Sequence, residues 1–567
     1  MASALPSTVQ RKRAQASFPR RELHILLNGG PSHAALKEAV DAQLSRDEVF
    51  QSGPARVNAS REEERQASAK VVTRLIQYLR QDDEETAQVR DRLMALAYPG
   101  AHSRISNHRD LFAPAIRGLG SAEQVQQWEP ALRDFGVIGC FCMTELGHGS
   151  YARGIETTAT YMPDTDQFDI HTPNETSAKV WIGSAGKTAT HGVVFAQLVV
   201  AGKVLGLNAF IVPLRDMATG AALPGITAGD MGSKMGRNAL DNGILWFSHV
   251  KVPRSALLCR YTKVDRQGGV TVSPLQQLSF FALVGGRIMM THASSGYLSM
   301  ATTIAVRYLA ARRQFPAQDV PAQEQAQTHQ LDPPPATGSG EAVVLDYPIQ
   351  SRKMARMLAR SVALHATGWA LERVHEEVTA TLAAAVRGTS NMSPAISALK
   401  MLHNLSAALK ASTTWAACDG IDTCRQACGG VGYSSYSGLP GIQADMAVMP
   451  TWEGDNTLMC LQAGSFLLKS LRALSKGAEP SPALTWLPEA LAQDTPFPES
   501  AAEYRLCKAS THEDIIQFVQ RCVSGLRWCA AQGAMALASK LSRAELSPAE
   551  AAEDMVPMAL AFADAFS

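Results

Sequence analysis

The sequence predicts an α+β protein: an N-terminal helical domain, a middle β-barrel-like domain and a C-terminal helical bundle. Apolar residues recur with a helical period from Pro31 to Arg133. The pattern changes to strand-like alternation between Glu156 and Pro253, and it becomes helical again after Pro274. A chain of 567 residues is also too long for one hydrophobic core. We therefore expect several domains rather than one.

These changes of pattern define four predicted domains. Residues 1–138 form the N-terminal helical domain, and residues 139–274 form the middle β domain. Residues 275–475 form the first C-terminal helical bundle, and residues 476–567 form a second C-terminal helical domain. The polar start lacks the apolar stretch of a secretory signal, and no apolar run approaches the roughly 18 residues that span a bilayer. We expect a soluble, intracellular protein without a membrane span.

The middle segment carries two strand-pair signals. Alternating residues from Thr158 to Ile170 surround the turn Pro163 to Asp166, which is typical of a hairpin. Val193 to Val200 and Leu205 to Val212 predict two further strands joined by a short turn that contains glycine. The middle domain is therefore predicted to be built largely from antiparallel strands.

The C-terminal half is predicted to be helical. The helices are Leu278 to Gln314, Gln350 to Val386, Pro394 to Ala417 and Asn456 to Ala473. Ser393 and Pro394 form a favourable N-cap and first-turn pair. Pro316 to Ala342 is rich in Pro, Gln, Gly and Ala, which predicts a surface loop. A Pro-rich joint, Glu479 to Pro498, precedes a last helical region from Glu513 to Phe566.

Charge and cysteine usage exclude several kinds of partner. The 53 Lys and Arg residues nearly balance the 52 Asp and Glu residues, so no overall field attracts nucleic acid or an anionic membrane. The ten cysteines lack the paired spacing and nearby His of a zinc site. We expect reduced thiols and no metal site.

The most specific motif is Thr144 to Ser150, TELGHGS, followed by Arg153 to Tyr161. It closely resembles the signature of the acyl-CoA oxidase family, within the acyl-CoA dehydrogenase and oxidase superfamily. A dehydrogenase more often has Pro after the Thr-Glu pair. The domain order matches that superfamily, and the resemblance extends from Ala16 to Ala473.

The segment Lys179 to Thr188 also resembles the oxidase family, in which a glycine-rich turn after an aromatic strand lies along a flavin ring. The resemblance implies FAD as the cofactor, with Thr144 at the polar edge of the isoalloxazine and Gly183 along the ring. Glycine lets backbone N–H groups approach a flat ligand, although such glycines also occur in ordinary turns. Ser184 replaces a commoner Gly.

Arg312 to Phe315 is similar to the family element that binds the dinucleotide. The resemblance implies that Arg312 reaches the flavin pyrophosphate of the neighbouring subunit and that Phe315 packs on the dinucleotide. The planar guanidinium binds phosphate oxygens in pairs. Without the resemblance, a basic doublet at a helix end compensates the helix dipole. The family's usual Gly after the Phe is Pro316 here.

The loop around Gly429 and Gly430 is similar to the family loop that, with a preceding Gln, holds the same pyrophosphate from the partner subunit. Gln426 is that Gln, and glycine permits close approach of a phosphate. Taken alone, a Gly-Gly-x-Gly sequence is weak evidence. The resemblance implies a homodimer whose FAD sites are completed across the interface.

Thr451 to Thr457, TWEGDNT, resembles the catalytic loop of the family. The resemblance implies that Glu453 is the base that removes the α proton of the bound thioester. Burial beside Trp452 is expected to raise the pKa of this carboxyl. Asp455 and Thr457 are implied to bind the flavin, but an Asp before Asn is equally typical of a helix N-cap.

The implied function is that of a flavin-dependent acyl-CoA oxidase of fatty-acid β-oxidation. It would convert acyl-CoA and O₂ into trans-2-enoyl-CoA and H₂O₂, with hydride transfer from the β carbon to the flavin. The family also implies a peroxisomal location, although the chain ends in Ala565, Phe566 and Ser567 rather than a Ser-Lys-Leu signal. This end lies within the second C-terminal domain, which we therefore expect to be shortened.

Two alternatives remain. The first is an acyl-CoA dehydrogenase that passes electrons to a flavoprotein acceptor, which the signature at Thr144 and the loop at Glu453 disfavour. The second is a catalytically silent scaffold that binds flavin or CoA. Only Pro316, Ser184 and the short C-terminus support it, and the presence of Glu453 counts against it.

Overall fold

A computed structural model describes residues 7–16, 18–51, 57–273, 284–316, 340–492, 512–543, 546 and 548–566. Backbone contacts divide the chain into two compact units. One unit is Leu36–Gly286, and the other combines Met1–Ala35 with Arg287–Ser567. This division groups the first 35 residues with the C-terminal helices, whereas the predicted domains end at other positions. The boundaries of the four predicted domains stay predictions.

Helices fill the N-terminal part of the chain, as predicted. They are α1 (Ser7–Ala14), α2 (Arg20–Leu27), α3 (Pro31–Arg46), α4 (Arg61–Leu79), α5 (Glu84–Ala97), α6 (Pro99–Ser106), α7 (Ala113–Leu119) and α8 (Ala122–Arg133). Capping boxes start two of them: Ser60 accepts from the Glu63 N–H before α4, and Ser121 accepts from the Gln124 N–H before α8. A π-helical segment, Asn107–Phe112, joins α6 to α7.

Strands occupy the middle of the chain. They are β1 (Gly139–Cys142), β2 (Thr158–Met162), β3 (Gln167–His171), β4 (Lys179–Ile182), β5 (His191–Val200), β6 (Lys203–Pro213), β7 (Ile226–Asp230), β8 (Gly243–Phe247), β9 (Val250–Pro253), β10 (Thr262–Val264) and β11 (Val270–Val272). The main sheet has the order β1-β5-β2-β3-β9, and β6 pairs with β5. This sheet curls into a half-barrel, and a second sheet has the order β4-β8-β7.

Strand β5 organises the main sheet. Its first half pairs with β1 in parallel, and its second half pairs with β2 in parallel. Antiparallel β6 covers the opposite edge of β5, with Val200 opposite Lys203 across the turn formed by Ala201 and Gly202. The β2–β3 hairpin places Tyr161 opposite Phe168. Both predicted strand pairs are confirmed.

The π-helical segment and α7 pack on the main sheet. Phe112 and Ile116 share a buried apolar cluster with Val193 and Ile211 of the sheet. A Cβ on Gly139 would lie 2.0 Å from a ring carbon of Phe112, so only glycine allows this close approach. These contacts fix the helices against β1, which precedes the signature motif, and against β5 and β6.

The described residues of the C-terminal part of the chain form helices together with one strand pair. Its helices are α9 (Val284–Ala311), α10 (Pro348–Val386), α11 (Met392–Ala427), α12 (Gly430–Tyr433), α13 (Leu439–Met446), α14 (Asn456–Leu474), α15 (Leu487–Ala492), α16 (His512–Ser542) and α17 (Pro548–Phe566). The strands are β12 (Arg313–Pro316) and β13 (Glu341–Val343), which pair antiparallel. The predicted fold class is confirmed.

Some predicted details of this half differ from the structure. Helix α11 begins at Met392, and Asn391 caps it by accepting from the Ser393 N–H, so the predicted Ser393 cap was wrong. The same helix runs ten residues past the predicted end at Ala417, because its apolar face stays buried as far as Cys424. Most of the predicted loop from Pro316 to Ala342 lies outside the described residues.

Two general findings concern the described part of the chain. None of its helices combines the length and the apolar character needed to cross a bilayer. Eight of its cysteines are free thiols, and five of these are buried: Cys140, Cys142, Cys424, Cys428 and Cys460.

Candidate active site

Glu453 lies in a tight loop between α13 and α14. Its backbone is left-handed, with φ at +54°, and Gly454 follows with φ at +101°. A Cβ on Gly454 would lie 2.5 Å from the terminal methyl of Met459. Two consecutive left-handed residues are uncommon, and for Glu this conformation costs roughly 1–3 kcal/mol. Surrounding contacts must therefore hold the loop in this shape.

Asp455 starts α14. One carboxylate oxygen of Asp455 accepts from the backbone N–H groups of Thr457 (2.9 Å) and Leu458 (3.4 Å), as an N-cap does. The side chain of Thr457 is exposed on the first turn of the helix. Of the two interpretations of Asp455, the structure contains the N-cap. Flavin contacts of Asp455 and Thr457 stay predictions.

A buried lysine from α11 holds the same loop. The Nζ of Lys410 donates to the carbonyl oxygen of Gly454 (2.7 Å) and to Oδ1 of Asn456 (2.8 Å). Asn456 is also buried, and its Nδ2 donates to Oγ1 of Thr414 (2.9 Å) and to the carbonyl oxygen of Ala411 (3.2 Å). Four hydrogen bonds therefore tie the loop and the start of α14 to one face of α11.

The charge environment of Glu453 is mixed. Burial raises the pKa of its carboxyl, as predicted, while the positive charges of Arg287 and Lys410 act in the opposite direction. Burial also lowers the pKa of Arg287 to about 10, against the influence of Glu453. Arg287 remains positively charged at neutral pH and donates to the carbonyl oxygen of His403 (3.1 Å). The carboxyl is thus partly shielded from water and is close enough to two cations to be influenced by their charges.

Burial changes the other titratable groups here as well. It lowers the pKa of Lys410 to about 8, and the charge of Arg287 adds to this effect. It lowers the pKa of His403 to about 4, again with help from Arg287, so this imidazole is neutral at pH 7. At neutral pH, Arg287 is therefore a cation near Glu453, and so is Lys410 in most molecules.

Arg287, Lys410 and Asn456 are not among the site residues predicted from the sequence. A signal was present, because Lys410 interrupts an otherwise apolar stretch of helix and Arg287 follows two glycines in another. A lone charge on an apolar helix face indicates a buried charge that needs a partner. The sequence does not say which partner that is.

Thr144 lies in a loop fastened to β4. Its carbonyl oxygen accepts from the Val180 N–H (3.0 Å), and the Leu146 N–H donates to the carbonyl oxygen of Ala178 (2.9 Å). Glu145, the next residue of the signature, is fully buried. The loop that presents Thr144 therefore has a buried charge as its anchor.

Glu145 is held by a dense set of donors. Oε1 accepts from the Thr157 hydroxyl (2.5 Å), the Thr157 N–H (2.9 Å) and Nζ of Lys179 (3.0 Å). Oε2 accepts from the Glu156 N–H (2.8 Å) and lies 3.0 Å from Nδ1 of His148. Burial alone would raise the pKa of Glu145, but Lys179 and these donors lower it overall. The carboxylate is thus ionised and structural.

The turn that contains Gly183 is shaped by its own packing. A Cβ on Gly183 would lie 2.2 Å from the side-chain amide of Asn107, so glycine is required there before any ligand is considered. Buried Arg215 donates to the carbonyl oxygens of Ala185 (3.0 Å) and Gly186 (2.9 Å). The glycine in this turn therefore does not by itself indicate a ligand.

Two residues beside Gly183 have left-handed backbones. Trp181 has φ at +61° and leaves 56% of its side chain exposed at the end of β4. Ser184 has φ at +67°, is fully buried, and its Oγ has no hydrogen-bond partner among the described residues. The exposed indole fits a flat ligand, whereas the serine occupies a position that suits glycine.

Arg312 and Phe315 lie where α9 gives way to β12. Both side chains are exposed, Phe315 to 71%, and Phe315 has φ at +63°. Strand β12 continues through Pro316, which is opposite Glu341 of β13. Replacing the family's Gly by Pro316 thus leaves the strand pair intact.

Gln426, Gly429 and Gly430 lie at the C-terminal end of α11. Gly429 has φ at +60° and ψ at −142°, a conformation accessible almost only to glycine, and open space surrounds the Cβ position of Gly430. The side-chain amide of Gln426 donates to Asp422 (2.5 Å), and Gln443 donates to the same carboxylate (3.2 Å). The loop is exposed, but the amide of Gln426 already has a partner.

One group of side chains has the composition of a metal site. In the described part of the chain, Asp91, His102 and Asp110 lie within coordinating distance of one another. Asp91 is 3.0 Å from both His102 Nε2 and the guanidinium of Arg109. Burial and the nearby Asp91 raise the pKa of Asp110 to about 6. Since Arg109 and His102 already neutralise Asp91, we interpret the group as a buried charge network.

Three family models match consecutive parts of the chain. The acyl-coenzyme A oxidase N-terminal model matches residues 19–138, and the acyl-CoA dehydrogenase middle-domain model matches residues 140–250. The acyl-CoA oxidase C-alpha1 domain model matches residues 280–468. Acyl-coenzyme A oxidase 2 of Yarrowia lipolytica is 38% identical over 494 residues, which cover 85% of this chain and 67% of that protein. The chain belongs to the acyl-CoA oxidase family.

Other relatives agree. Peroxisomal acyl-coenzyme A oxidase 1 of Arabidopsis thaliana is 36% identical, over 83% of this chain and 67% of its own length. The chain spans about two thirds of the length of the curated relatives it matches. The crystal structure of acyl-CoA oxidase 3 from Y. lipolytica has a TM-score of 0.85 and 34% identity, with 100% of this chain and 78% of that chain covered.

A fourth relative was solved with ligands. Acyl-CoA oxidase-2 of Caenorhabditis elegans, bound with FAD, ascaroside-CoA and ATP, has a TM-score of 0.84 and 27% identity. The match covers 100% of this chain and 80% of that chain. Thr144 and Gly183 lie in the segment matched by the middle-domain model, and the segment around Glu453 lies in the one matched by the C-alpha1 model.

The Glu145–Lys179 pair gives the first prediction. We expect Lys179→Met to lower the free energy of unfolding by about 3–5 kcal/mol, because it leaves a buried carboxylate without its cation. Urea unfolding followed by far-UV circular dichroism measures this. The control is Lys251→Met, whose ion pair with Asp169 is partly exposed and is expected to contribute under about 1 kcal/mol. Equal effects of the two substitutions would contradict the anchoring role.

Ser184 gives the second prediction. We expect Ser184→Gly to raise the free energy of unfolding by about 1 kcal/mol, because it removes a strained backbone and a buried, unpaired hydroxyl. The greater freedom of glycine in the unfolded chain offsets part of this gain. Ser184→Ala, which removes the hydroxyl but keeps the Cβ, should give a smaller gain. A loss of stability in Ser184→Gly would show that the hydroxyl has a favourable contact.

Proposed function

We propose that the protein is an FAD-dependent acyl-CoA oxidase that converts a fatty acyl-CoA and O₂ into trans-2-enoyl-CoA and H₂O₂. Glu453 is the base in this proposal. The observation that carries it is the placement of one carboxyl in a constrained left-handed turn, partly buried, with Arg287 and Lys410 as its cations. The family membership of the chain supports the same reaction.

The environment of Glu453 suits abstraction of a weakly acidic proton. A base must be ionised before it accepts the α proton, and burial raises the pKa of this carboxyl, which opposes ionisation. The charges of Arg287 and Lys410 favour the ionised form. After the proton transfer, Glu453 is neutral, which relieves the cost of burying its charge. The two cations therefore limit the rise in the pKa of Glu453, while burial, the largest influence, leaves the carboxyl more basic than an ordinary Glu.

The residues of the other motifs fit a dinucleotide with a flat ring system. Trp181 and Phe315 leave large aromatic surfaces exposed, and Gly430 leaves space for a phosphate. Bound FAD would supply the two-electron acceptor for the β hydride and the route by which O₂ becomes H₂O₂. The residues proposed to hold it are Thr144, Gly183, Arg312, Phe315, Gln426, Gly429, Gly430, Asp455 and Thr457.

Assembly and location are part of the proposal. We propose a homodimer in which Arg312 and Gln426 bind the FAD of the partner subunit, since both are exposed polar side chains in family motifs. The amide of Gln426 would then exchange or share its bond with Asp422. We also propose a peroxisomal location, which the name of the A. thaliana relative supports.

Peroxide release tests the reaction. Purified protein is mixed in air with a series of saturated acyl-CoAs, while H₂O₂ and enoyl-CoA are quantified and the flavin absorbance is followed. We expect one mole of H₂O₂ per mole of enoyl-CoA. Bleaching of the flavin without peroxide would instead indicate a dehydrogenase that needs a flavoprotein acceptor. Protein without flavin, unchanged by added FAD, would contradict the proposal.

Glu453→Gln tests the base. We expect turnover to fall roughly 10²–10⁴-fold, because the amide cannot accept the α proton. Flavin content and the dissociation constant of acyl-CoA should stay near the wild-type values, since the side-chain volume is preserved. Glu489→Gln, at an exposed position of α15, is the matched control and should leave turnover unchanged. Turnover of Glu453→Gln within threefold of wild type would exclude Glu453 as the base.

A further inference from the structure

Lys410 is buried in the middle of α11, and the two hydrogen bonds described for its side chain go to the loop that carries Glu453 and to the first residue of α14. Its Nζ donates to the carbonyl oxygen of Gly454 (2.7 Å) and to Oδ1 of Asn456 (2.8 Å). These two acceptors belong to the residues on either side of Asp455, and Gly454 directly follows Glu453. One ammonium group therefore bridges the backbone next to the base and the first residue of α14.

The backbone conformation of the Glu453 loop requires stabilising contacts such as the hydrogen bonds of Lys410. Glu453 and Gly454 are both left-handed, and such a pair returns to commoner conformations unless other contacts oppose it. Gly454 has no side chain that could make a stabilising contact. The hydrogen bond to its carbonyl oxygen therefore holds the orientation of its peptide group. Asn456 extends the bridge, because its amide binds Thr414 and Ala411 on α11. Through these hydrogen bonds Lys410 fixes the conformation of the loop, and that conformation sets the direction in which the Glu453 side chain projects.

We propose that Lys410 is a positioning residue for the oxidase reaction, which fixes the Glu453 loop and supplies one of the two positive charges that act on its carboxyl. The proposal rests on the proposed role of Glu453 as the base. Lys410 does not touch the reacting atoms in this proposal. It acts through the conformation and the ionisation of Glu453.

The charged and titratable groups around Lys410 come from several elements. Arg287 of α9 repels the ammonium, whereas Asp455 and Glu453 of the loop attract it. The thiol of Cys460 on α14, whose pKa burial raises to about 11, is neutral at pH 7. His403, also on α11, is neutral at pH 7. Removal of the charge of Lys410 leaves Arg287 as the cation acting on Glu453. The pKa of Glu453 must then rise, so a larger fraction of the base is protonated at a given pH.

The test compares Lys410→Met with wild type. The rate of flavin reduction is measured anaerobically from pH 5.5 to 9 by stopped flow, with the saturated acyl-CoA that wild type oxidises fastest. We expect the acid limb of the pH profile to move up by about one unit. We also expect the rate at the optimum to fall roughly 10–100-fold, because the base is misaligned. The dissociation constant of the acyl-CoA should change less than threefold.

The control is Lys400→Met, which makes the same substitution at an exposed position of the same helix. It should retain the wild-type rate and profile. If Lys410→Met has the wild-type acid limb and a rate within threefold of wild type, the proposal is wrong. If its rate falls only in proportion to its flavin content, with an unchanged acid limb, Lys410 is merely structural and the proposal is also wrong.

Lys410→Arg keeps the proposal testable if Lys410→Met does not fold. Arginine retains the charge but is longer, and its donors are fixed in one plane, so it cannot place two donors where the compact ammonium places them. We expect the acid limb to stay within about 0.3 units of wild type while the rate at the optimum falls at least fivefold. A wild-type rate in Lys410→Arg would overturn the positioning role. Wild type and Lys400→Met both failing to reduce the flavin would instead overturn the proposed function.

Discussion

The constraint on which the Glu453 loop depends is the burial of several ionisable groups close together. Burial raises the pKa of Glu453, and Arg287 and Lys410 oppose that rise. Both cations are themselves destabilised by burial, so each requires its own partners: a carbonyl oxygen for Arg287, and the loop with Asn456 for Lys410. The hydrogen bonds that hold the loop are the same ones that satisfy the buried ammonium.

The signature around Thr144 uses a similar arrangement for a different purpose. Glu145 and Lys179 are both buried, and five donors saturate the carboxylate. This pair does no chemistry in the proposed reaction; it fastens a loop whose neighbour Thr144 is partly exposed. A buried ion pair stabilises little overall, but its geometry is specific, because any other arrangement leaves a charge unpaired. Motif residues thus divide into those that present a surface and those that hold it.

The sequence did not show why each glycine of the predicted site is a glycine. Gly183 was interpreted as a site of close approach to a ligand, and the structure shows that Asn107 already requires a glycine there. Gly429 has a conformation that needs glycine, whereas Gly430 is bordered by open space. The predicted N-cap at Ser393 was wrong because two residues of capping type, Asn391 and Ser393, lie close together. The helix begins after the earlier one, Asn391. The role of each of these residues depends either on a neighbour that is distant in sequence or on the local backbone conformation.

The sequence by itself determined the fold class, the order of helical and β regions, both strand pairs and the loop that carries Glu453. These follow from periodicity, turn residues and motifs, which are local properties of the chain. Only the tertiary structure revealed that Lys410, 43 positions before Glu453, binds its loop, that Arg287 acts on the same carboxyl, and that Glu145 is an anchor. Burial and charge pairing depend on which distant segments meet, and no local pattern encodes that.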